Sequence, residues 1–560
     1  MKNVVVDVIS KTIGMDKGRV SNLVEVPPKS EMGDFAFPCF GLAKQMRKNP
    51  IEAAGCLLCK FENALPEEIE RVEVRGAYVN FFVDKKVFAG EVLKVVKKKN
   101  FGVLKLGKGK KVGVEYPSPN TNKTLHVGHL RNMAIGEAVS NITKNAGAEV
   151  FRLNLFNDRG ILISKAMIGY EKFGKGKSPK DLGVKGDKFV GDLYVKFSKE
   201  SKANPDLEED AKEKLRLWEA GDEKTLELWK KLNEWVYEGM NETFSKFGLC
   251  EADKSYYESE IYKEGRELVE SGLRDGVFSK KDDAVVIDLV SESLGEKVFL
   301  RGDGTSVYIT QDLFLAEKKI KDFDLDSSYY VVGSDQEYHF KVLFSVLEKL
   351  GFKKDWRHLS YGMVSLPSGK MSSREGTAVG ADDLIEETVK IAKKGILDRA
   401  SDKIDDLEER ALKIALAAIK YALLKVDIHK RIIFDASRAL SFEGDTGPYL
   451  LYSYARASSI IRKVKSKAKF EIKTLEESEI ELLKKIDLFE DVVGSAYNGL
   501  APNLIANYCF ELAQNFNEFY HACPVLGSES EGFRLELVRA FRNVMGKSLD
   551  MLGIEKLEEM

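Results

Sequence analysis

Apolar residues recur along this chain in three successive rhythms, and each predicts a different kind of element. Up to about residue 105 the pattern is mixed. A helical stretch from Gly41 to Lys60 leads into R-V-E-V-R-G-A-Y-V-N-F-F-V, whose β-branched and aromatic residues predict strand, with Gly76 as the turn. The segment closes through V-L-K-V-V-K-K-K-N-F-G into a Gly/Lys-rich joint, so residues 1–105 are expected to form a small α+β domain. From Lys111 strands alternate with helices. V-G-V-E-Y is a short strand, L-R-N-M-A-I-G-E-A-V-S-N-I-T-K-N-A-G an amphipathic helix, and E-V-F-R-L-N-L-F a second strand, which together make a βαβ unit of a parallel sheet. Residues 170–275 are charged and helix-rich, an insertion that interrupts the sheet. Strands then resume with A-V-V-I-D-L-V, K-V-F-L-R-G-D-G-T-S-V-Y-I-T, S-S-Y-Y-V-V-G-S and H-L-S-Y-G-M-V-S-L, which completes one doubly wound α/β domain over 106–390. Beyond about residue 400 the spacing turns to threes and fours, as in A-L-K-I-A-L-A-A-I-K-Y-A-L-L-K, so 391–560 reads as an all-α bundle.

Composition sharpens this outline. At 560 residues the chain is too long for one core, and roughly three or four domains are expected. The formal net charge of −2 means that any nucleic-acid contact must come from local basic patches. Six cysteines make no disulfide framework, and Cys56 and Cys59, a single C-x-x-C in an apolar run, read as two buried core thiols. The N-terminus has no long apolar segment of a signal peptide, and no stretch reaches the roughly 18 apolar residues of a membrane span. A soluble, cytoplasmic protein without membrane contact is expected.

The candidate chemistry begins at Pro117. The stretch P-S-P-N-T-N-K-T-L-H-V-G-H-L-R-N leaves a strand and enters a helix, the place where parallel sheets bind ligands and where helix amides and dipole favour anions. His126 and His129 can each donate to a phosphate oxygen, Gly128 leaves room for a flat base, and Lys123 and Arg131 add positive charge. Two incidental turn histidines are the weaker reading. Zinc is weaker still, because no further Cys or His stands at ligand spacing, and no metal site is expected. A second loop, S-L-P-S-G-K-M-S-S-R-E-G-T at 365–377, carries Lys370 and Arg374 and suits a phosphate clamp.

These stretches together resemble class I aminoacyl-tRNA synthetases. H-V-G-H is similar to their HIGH signature and K-M-S-S-R to KMSKS. The longer blocks E-Y-P-S-P-N-x-x-K-x-x-H-V-G-H-L-R, Y-I-T-Q-D-L, V-V-G-S-D-Q-E-Y-H-F and the ending L-G-I-x-x-x-x-x-M resemble the arginyl-tRNA synthetases over nearly the whole chain. There are two departures. Ser373 replaces the second lysine of KMSKS, and in such enzymes a lysine just upstream of HIGH, here Lys123, is thought to take over its part. N-D-R-G-I stands where many relatives have D-W-G, which leaves Asp158 and Gly160 but no tryptophan.

The resemblance implies a Rossmann-type catalytic domain carrying the insertion, an N-terminal domain that meets the tRNA elbow, and a C-terminal anticodon-binding bundle. It implies activation of L-arginine by ATP with Mg²⁺, then transfer to the terminal ribose of the cognate tRNA, with no tightly bound cofactor. His126, His129, Lys123 and Lys370 would act in catalysis and, with Gly128, Met371 and Ser372, hold ATP. Glu115, Asn120, Tyr308, Asp312 and Gln336 would form the arginine pocket. A planar, permanent cation does need carboxylates, and Tyr308 and Asp312 share a face if their segment is helical. Tyr78, Asn80, Tyr449, Tyr452, Arg456 and Met560 would contact tRNA, although Tyr78 by itself reads as core, and half the C-terminal tyrosines can be bundle interior. A monomer is expected. A charged pocket that rejects neutral amino acids by roughly 10⁴ or more removes the need for hydrolytic proofreading. Two rivals remain: a catalytically silent RNA-binding relative, against which the intact H-V-G-H, Lys370 and pocket residues argue, and a synthetase for another amino acid, which would not need both Glu115 and Asp312.

Overall fold

The computed structural model of the chain describes residues 2–61, 65–303, 305, 307–367, 379–398, 405–464 and 468–560. They group into two compact units: Met1–Phe101 with Arg456–Phe489 and Glu511–Met545, and Gly102–Ala455 with Glu490–Phe510 and Gly546–Met560.

In the first unit a three-stranded antiparallel sheet has Tyr78–Val83 at its centre, flanked by Phe35–Pro38 and Ile69–Arg75. Gly76, at φ +61°, makes the hairpin turn foreseen for it. The expected helix at Gly41–Lys60 is two helices, Phe40–Met46 and Pro50–Phe61. Arg47 adopts a left-handed conformation at the first helix's end, and Pro50 starts the second. The Cys56/Cys59 expectation is corrected here. The second helix buries Ala53, Ala54, Leu57 and Phe61, and that phase leaves Cys59 exposed and Cys56 half-buried, accepting a bond from Lys48 at 3.2 Å. Asp34 accepts from the Val83 amide at 3.0 Å and pairs with Lys85 at 2.6 Å and Lys484 at 3.3 Å, so it ties sheet to helices within this unit.

In the second unit five parallel strands lie in the order Asp355–Tyr361, Ser327–Gly333, Lys111–Glu115, Glu149–Phe156, Lys254–Tyr257. The chain runs outward from Lys111–Glu115 in one direction and, in its second half, from Ser327–Gly333 in the other. The order therefore reverses between these two strands, and their carboxyl ends frame a crevice. Two expected strands fall elsewhere. Ala284–Leu289 and Gly295–Leu300 pair antiparallel in a separate three-stranded sheet with Ser279–Lys281, and the Y-I-T read as the end of the second strand instead opens helix Tyr308–Phe323. The fifth parallel strand, Lys254–Tyr257, lies inside the stretch read as insertion. Its composition, K-S-Y-Y, is too short and polar to stand out from charged neighbours.

The helix Val127–Asn145 is buried around most of its circumference. On one side Gly136 lies against the Tyr116 ring, which a β-carbon there would overlap. The Tyr116 hydroxyl donates to Glu137 at 2.7 Å, and Arg152 reaches Glu137 at 3.0 Å and Asn141 at 2.7 Å. Burial of so many polar groups is tolerable only because they satisfy one another. Gly136→Ala should lower stability by about 1–3 kcal/mol through overpacking, measured by urea unfolding. An unchanged midpoint would show that the ring can move aside.

Candidate active site

The loop after strand Lys111–Glu115 is laced to the loop after strand Glu149–Phe156. The Asn157 amide donates to Pro119 at 3.0 Å, the Thr121 amide to Asn157 at 3.2 Å, and the Ser118 amide to the Asn154 side chain at 3.1 Å. This loop delivers His126 as the N-cap of helix Val127–Asn145. A reciprocal cap follows. The Gly128 amide donates to His126 Nδ1 at 3.1 Å, and the His126 amide donates to His129 Nδ1 at 3.0 Å. A helix start leaves amides without partners, and here imidazoles supply the acceptors usually provided by Ser, Thr or Asp. Each ring that accepts at Nδ1 must carry its proton on Nε2. Burial, and then the Lys123 charge, lower the His126 pKa to about 4; burial, His126 and Lys123 hold His129 well below its usual range. Both are therefore neutral Nε2–H donors. The rings stand 4.0 Å apart, and a β-carbon on Gly128 would meet the His126 ring at 2.9 Å, so glycine also protects the cap.

Lys123 is half-buried beside them. Arg131 does not add charge to the loop, contrary to expectation. It is 0 % exposed, and its guanidinium donates to the carbonyls of Gly362 at 2.5 Å, Lys430 at 2.7 Å and Ile428 at 3.1 Å. Five residues into the helix it faces away from the cap, where it secures the next chain segment. Lys370, Met371 and Ser372, like Ser373 and Arg374, lie outside the described residues.

The loop that leads into the cap borders a cavity of about 310 Å³. Asn120, Tyr308 and Asp312 line it. Helix Tyr308–Phe323 sets Tyr308 and Asp312 one turn apart, as their spacing implies. Glu115 and Gln336 are not among the lining residues. The Glu115 carboxylate is paired with Lys319, which is 1 % exposed, and accepts from Ser118 Oγ at 3.2 Å. Burial works against the charge on Lys319, but Glu115 prevails and raises its pKa. Gln336 is exposed and donates to Asp335 at 2.7 Å.

Three residues, Glu258, His339 and Asn122, enter the site that sequence reasoning passed over, and Asp158, named from the D-W-G match, takes a supporting place. Glu258 lines the cavity, and burial lifts its pKa to about 7 despite Arg159. It went unseen because it follows the unrecognised fifth strand. Asp158, buried, accepts from the Ser259 amide at 2.8 Å, Ser259 Oγ at 2.7 Å and Tyr237 at 2.8 Å, and so fixes that strand's end. His339 bonds Asp312 at 2.7 Å, and that bond raises its pKa; the H-F of V-V-G-S-D-Q-E-Y-H-F was its signal. Asn122, buried in the cavity wall, has neither side-chain oxygen nor nitrogen bonded.

Comparison with known proteins extends these observations. A family model for the class I (R) tRNA synthetase catalytic domain matches residues 91–436. The arginyl tRNA synthetase N terminal domain model matches 1–83, and the DALR anticodon binding domain model matches 450–560. An arginine–tRNA ligase of Treponema denticola is 44 % identical, with 96 % of this chain and 94 % of that protein covered. One from Porphyromonas gingivalis is 39 % identical, with 94 % of each covered. The chain belongs to the arginyl-tRNA synthetase family. The arginyl-tRNA synthetase structure from Thermus thermophilus superposes over the full length of both chains with a TM-score of 0.84 at 27 % identity. Arg159 stands where the resemblance led to the expectation of a tryptophan. It lies 3.9 Å over the Tyr262 ring and pairs with Glu219 at 2.7 Å, so a stacked cation fills the cavity wall there.

The residues expected to meet tRNA are placed as follows. In the first unit, Tyr78 is half-buried with its ring edge-on to Phe40, while Asn80 is only 4 % exposed on the central strand and does not present its side chain to solvent. Arg456 bonds Asn517 at 2.6 Å and lies 4.6 Å over Tyr520. In the second unit Tyr452 is exposed, Tyr449 half-buried near Phe510, Tyr454 buried, and Met560 half-buried.

At neutral pH, ¹⁵N NMR should find His126 and His129 as Nε2–H tautomers, with His126 titrating near 4. Because the folded value lies below the unfolded one of about 6.5, the stability these neutral rings contribute is present above 6.5 and declines as pH falls toward 4. A His126 that titrates at 6.5 would remove the reciprocal cap.

Proposed function

We propose that the chain acts as an arginine–tRNA ligase, with the cavity holding arginine and the histidine cap facing ATP. The observation that carries this is the pairing of two carboxylates, Asp312 and Glu258, in the wall of one small cavity bordered by the loop that leads into the histidine cap. A guanidinium is planar and always charged, and paired carboxylates match its fork. Tyr308, Asn120 and Asn122 add polar groups that orient the amino acid. Glu115 contributes through Lys319, by setting the helix that carries Tyr308 and Asp312; Gln336 would have to turn away from Asp335 to reach the substrate.

In the first step a carboxylate oxygen of arginine attacks the α-phosphorus of ATP. The bond to the bridging oxygen breaks, pyrophosphate leaves and arginyl-adenylate remains. No enzyme nucleophile is needed, so catalysis consists of positioning and charge stabilisation. His126 and His129 donate to phosphate oxygens, Lys123 and Lys370 stand on the pyrophosphate side, Met371 and Ser372 border ATP, and Gly128 leaves space for the adenine. ATP enters with Mg²⁺ on its phosphates. In the second step a ribose hydroxyl of the tRNA terminus, the 2′-hydroxyl by family resemblance, attacks the adenylate carbonyl, loses its proton and displaces AMP.

The same reading assigns 1–105 to the tRNA elbow, 106–390 to catalysis and 391–560 to the anticodon. Aromatic faces beside cations suit unstacked loop bases, and exposed Tyr452 and the Arg456–Tyr520 stack have that character. Tyr449 and Met560 complete the C-terminal contacts and Tyr78 those of the elbow, while Asn80 acts through strand packing. A cytoplasmic location follows from the role in translation.

ATP–pyrophosphate exchange should proceed with arginine, only when tRNA is present, and with no other amino acid. Silence with every amino acid would favour an RNA-binding protein instead. Lys123→Ala should lower kcat by about 10²-fold, as loss of one preorganised charge does; a change under about threefold would make it a solvated loop charge. Because an incoming cation favours ionised Glu258, the KM for arginine should fall about tenfold between about pH 6 and pH 8. Glu258→Gln should abolish that slope, and a slope retained in the variant would remove Glu258 from recognition.

A further inference from the structure

The insertion between strands Glu149–Phe156 and Lys254–Tyr257 is left without a task by the reading above. We infer that Lys185 of this insertion is a positioning residue for Lys123 and His126. This rests on the reading that those two face the ATP phosphates.

The insertion reaches the 123–126 stretch by two routes. The direct route is through helix Gly186–Glu200. Thr124 Oγ1 donates to the Asp187 carbonyl at 3.4 Å. Gly191, one turn on, packs bare against the same residue: a β-carbon there would lie 2.7 Å from Thr124 Oγ1 and 2.9 Å from the Thr124 amide nitrogen. Backbone cannot be displaced as a flexible side chain can, so the helix surface sets how far the Lys123–Thr124 peptide can retreat.

The second route passes through Lys185, the N-cap residue of that helix. Its ammonium donates to Asp382 Oδ2 at 2.6 Å and to Thr243 Oγ1 at 2.5 Å, and lies 3.5 Å from Asp187. Thr243, on helix Glu223–Lys246, donates to the same Asp382 oxygen at 3.0 Å. Gly239 lets that helix approach, since a β-carbon would stand 2.8 Å from the Asp187 amide. Asp382 sits in the first turn of helix Ala381–Leu397, whose Ala381 amide donates to the Leu125 carbonyl at 2.8 Å. Gly380 forms a bridge with His126 itself. The insertion thus touches Thr124 from one side and, through Lys185 and Asp382, holds Leu125 and His126 from the other.

One ammonium serving two carboxylates and a hydroxyl in a half-buried place is a fixed point, because moving it would leave Asp382 and Asp187 without their cation. A displacement of about 1 Å at reacting groups can cost on the order of 10²-fold in rate. Lys185 touches no substrate in this reading; its effect is exerted on the groups that meet phosphate, so ATP and arginine should feel its loss unequally.

The test is tRNA-dependent exchange with kcat and KM resolved for ATP and for arginine. Lys185→Met, Asp382→Asn and Gly191→Ala should each lower kcat/KM for ATP by about 10-fold or more, with the KM for arginine held within about twofold. Lys185→Arg, which keeps the charge, should recover most of the loss. Asp382→Asn preserves shape and Gly191→Ala preserves all charges, so misfolding of Lys185→Met alone would not decide the matter. Variants whose two KM values rise together with a fall in Tm, or whose exchange stays within about twofold of the parent, would overturn the inference. If those variants are normal while Lys123→Ala is disabled, the positioning role fails and the phosphate reading stands. If Lys123→Ala is also normal, both fail.

Discussion

The site is organised by the need of one helix for partners at its first amides. Helix Val127–Asn145 begins in the crevice between the two halves of the sheet, and its cap acceptors are imidazole nitrogens. That use of Nδ1 decides everything else about these histidines. The proton must sit on Nε2, the ring plane is fixed, and a second charge is excluded by burial and by Lys123. A hydrogen-bond donor that is neutral and immobile is suited to a phosphate whose charge is redistributed during displacement, because it needs no reorganisation. Gly128 belongs to the same constraint, since any side chain there would strike His126.

The acids around the crevice divide into two classes by their partners. Glu115 and Glu137 are buried against Lys319 and Arg152, and removing either cation would strand a charge, so these pairs hold strands to helices. Asp312 and Glu258 instead border open volume. Asp312 bonds His339, and burial pushes the Glu258 pKa up to about 7 despite the Arg159 charge near it. In the proposed reading, a cationic substrate would favour the ionised form of Glu258. On that proposal, similar acids around one crevice serve architecture in one case and recognition in the other.

Much of this was legible in one dimension. The βαβ rhythm after Lys111, the glycine between two histidines and the four-residue spacing of Tyr308 and Asp312 each follow from local geometry, and each is found in place. What escaped did so for physical reasons. The fifth strand, K-S-Y-Y, is an edge of four residues with little apolar signal, so Glu258 behind it was hidden within a charged stretch. Ala284–Leu289 and Gly295–Leu300 look like sheet strands because alternation specifies strand but not which sheet it joins. Arg131 reads as a surface cation because a guanidinium usually is one; only four carbonyls gathered from distant segments make its burial tolerable.

The sequence by itself determined most of the element types, the place of the loop that enters helix Val127–Asn145 and the family, because those depend on short-range spacing and on motifs read in order. The tertiary structure alone decided which charged residue borders the cavity and which is locked in an ion pair. Glu115 and Lys319 are separated by 204 positions, and Lys185 and Asp382 by 197. Whether a carboxylate is free or committed depends on the cation that the fold brings beside it, and no local pattern along the chain encodes that distance.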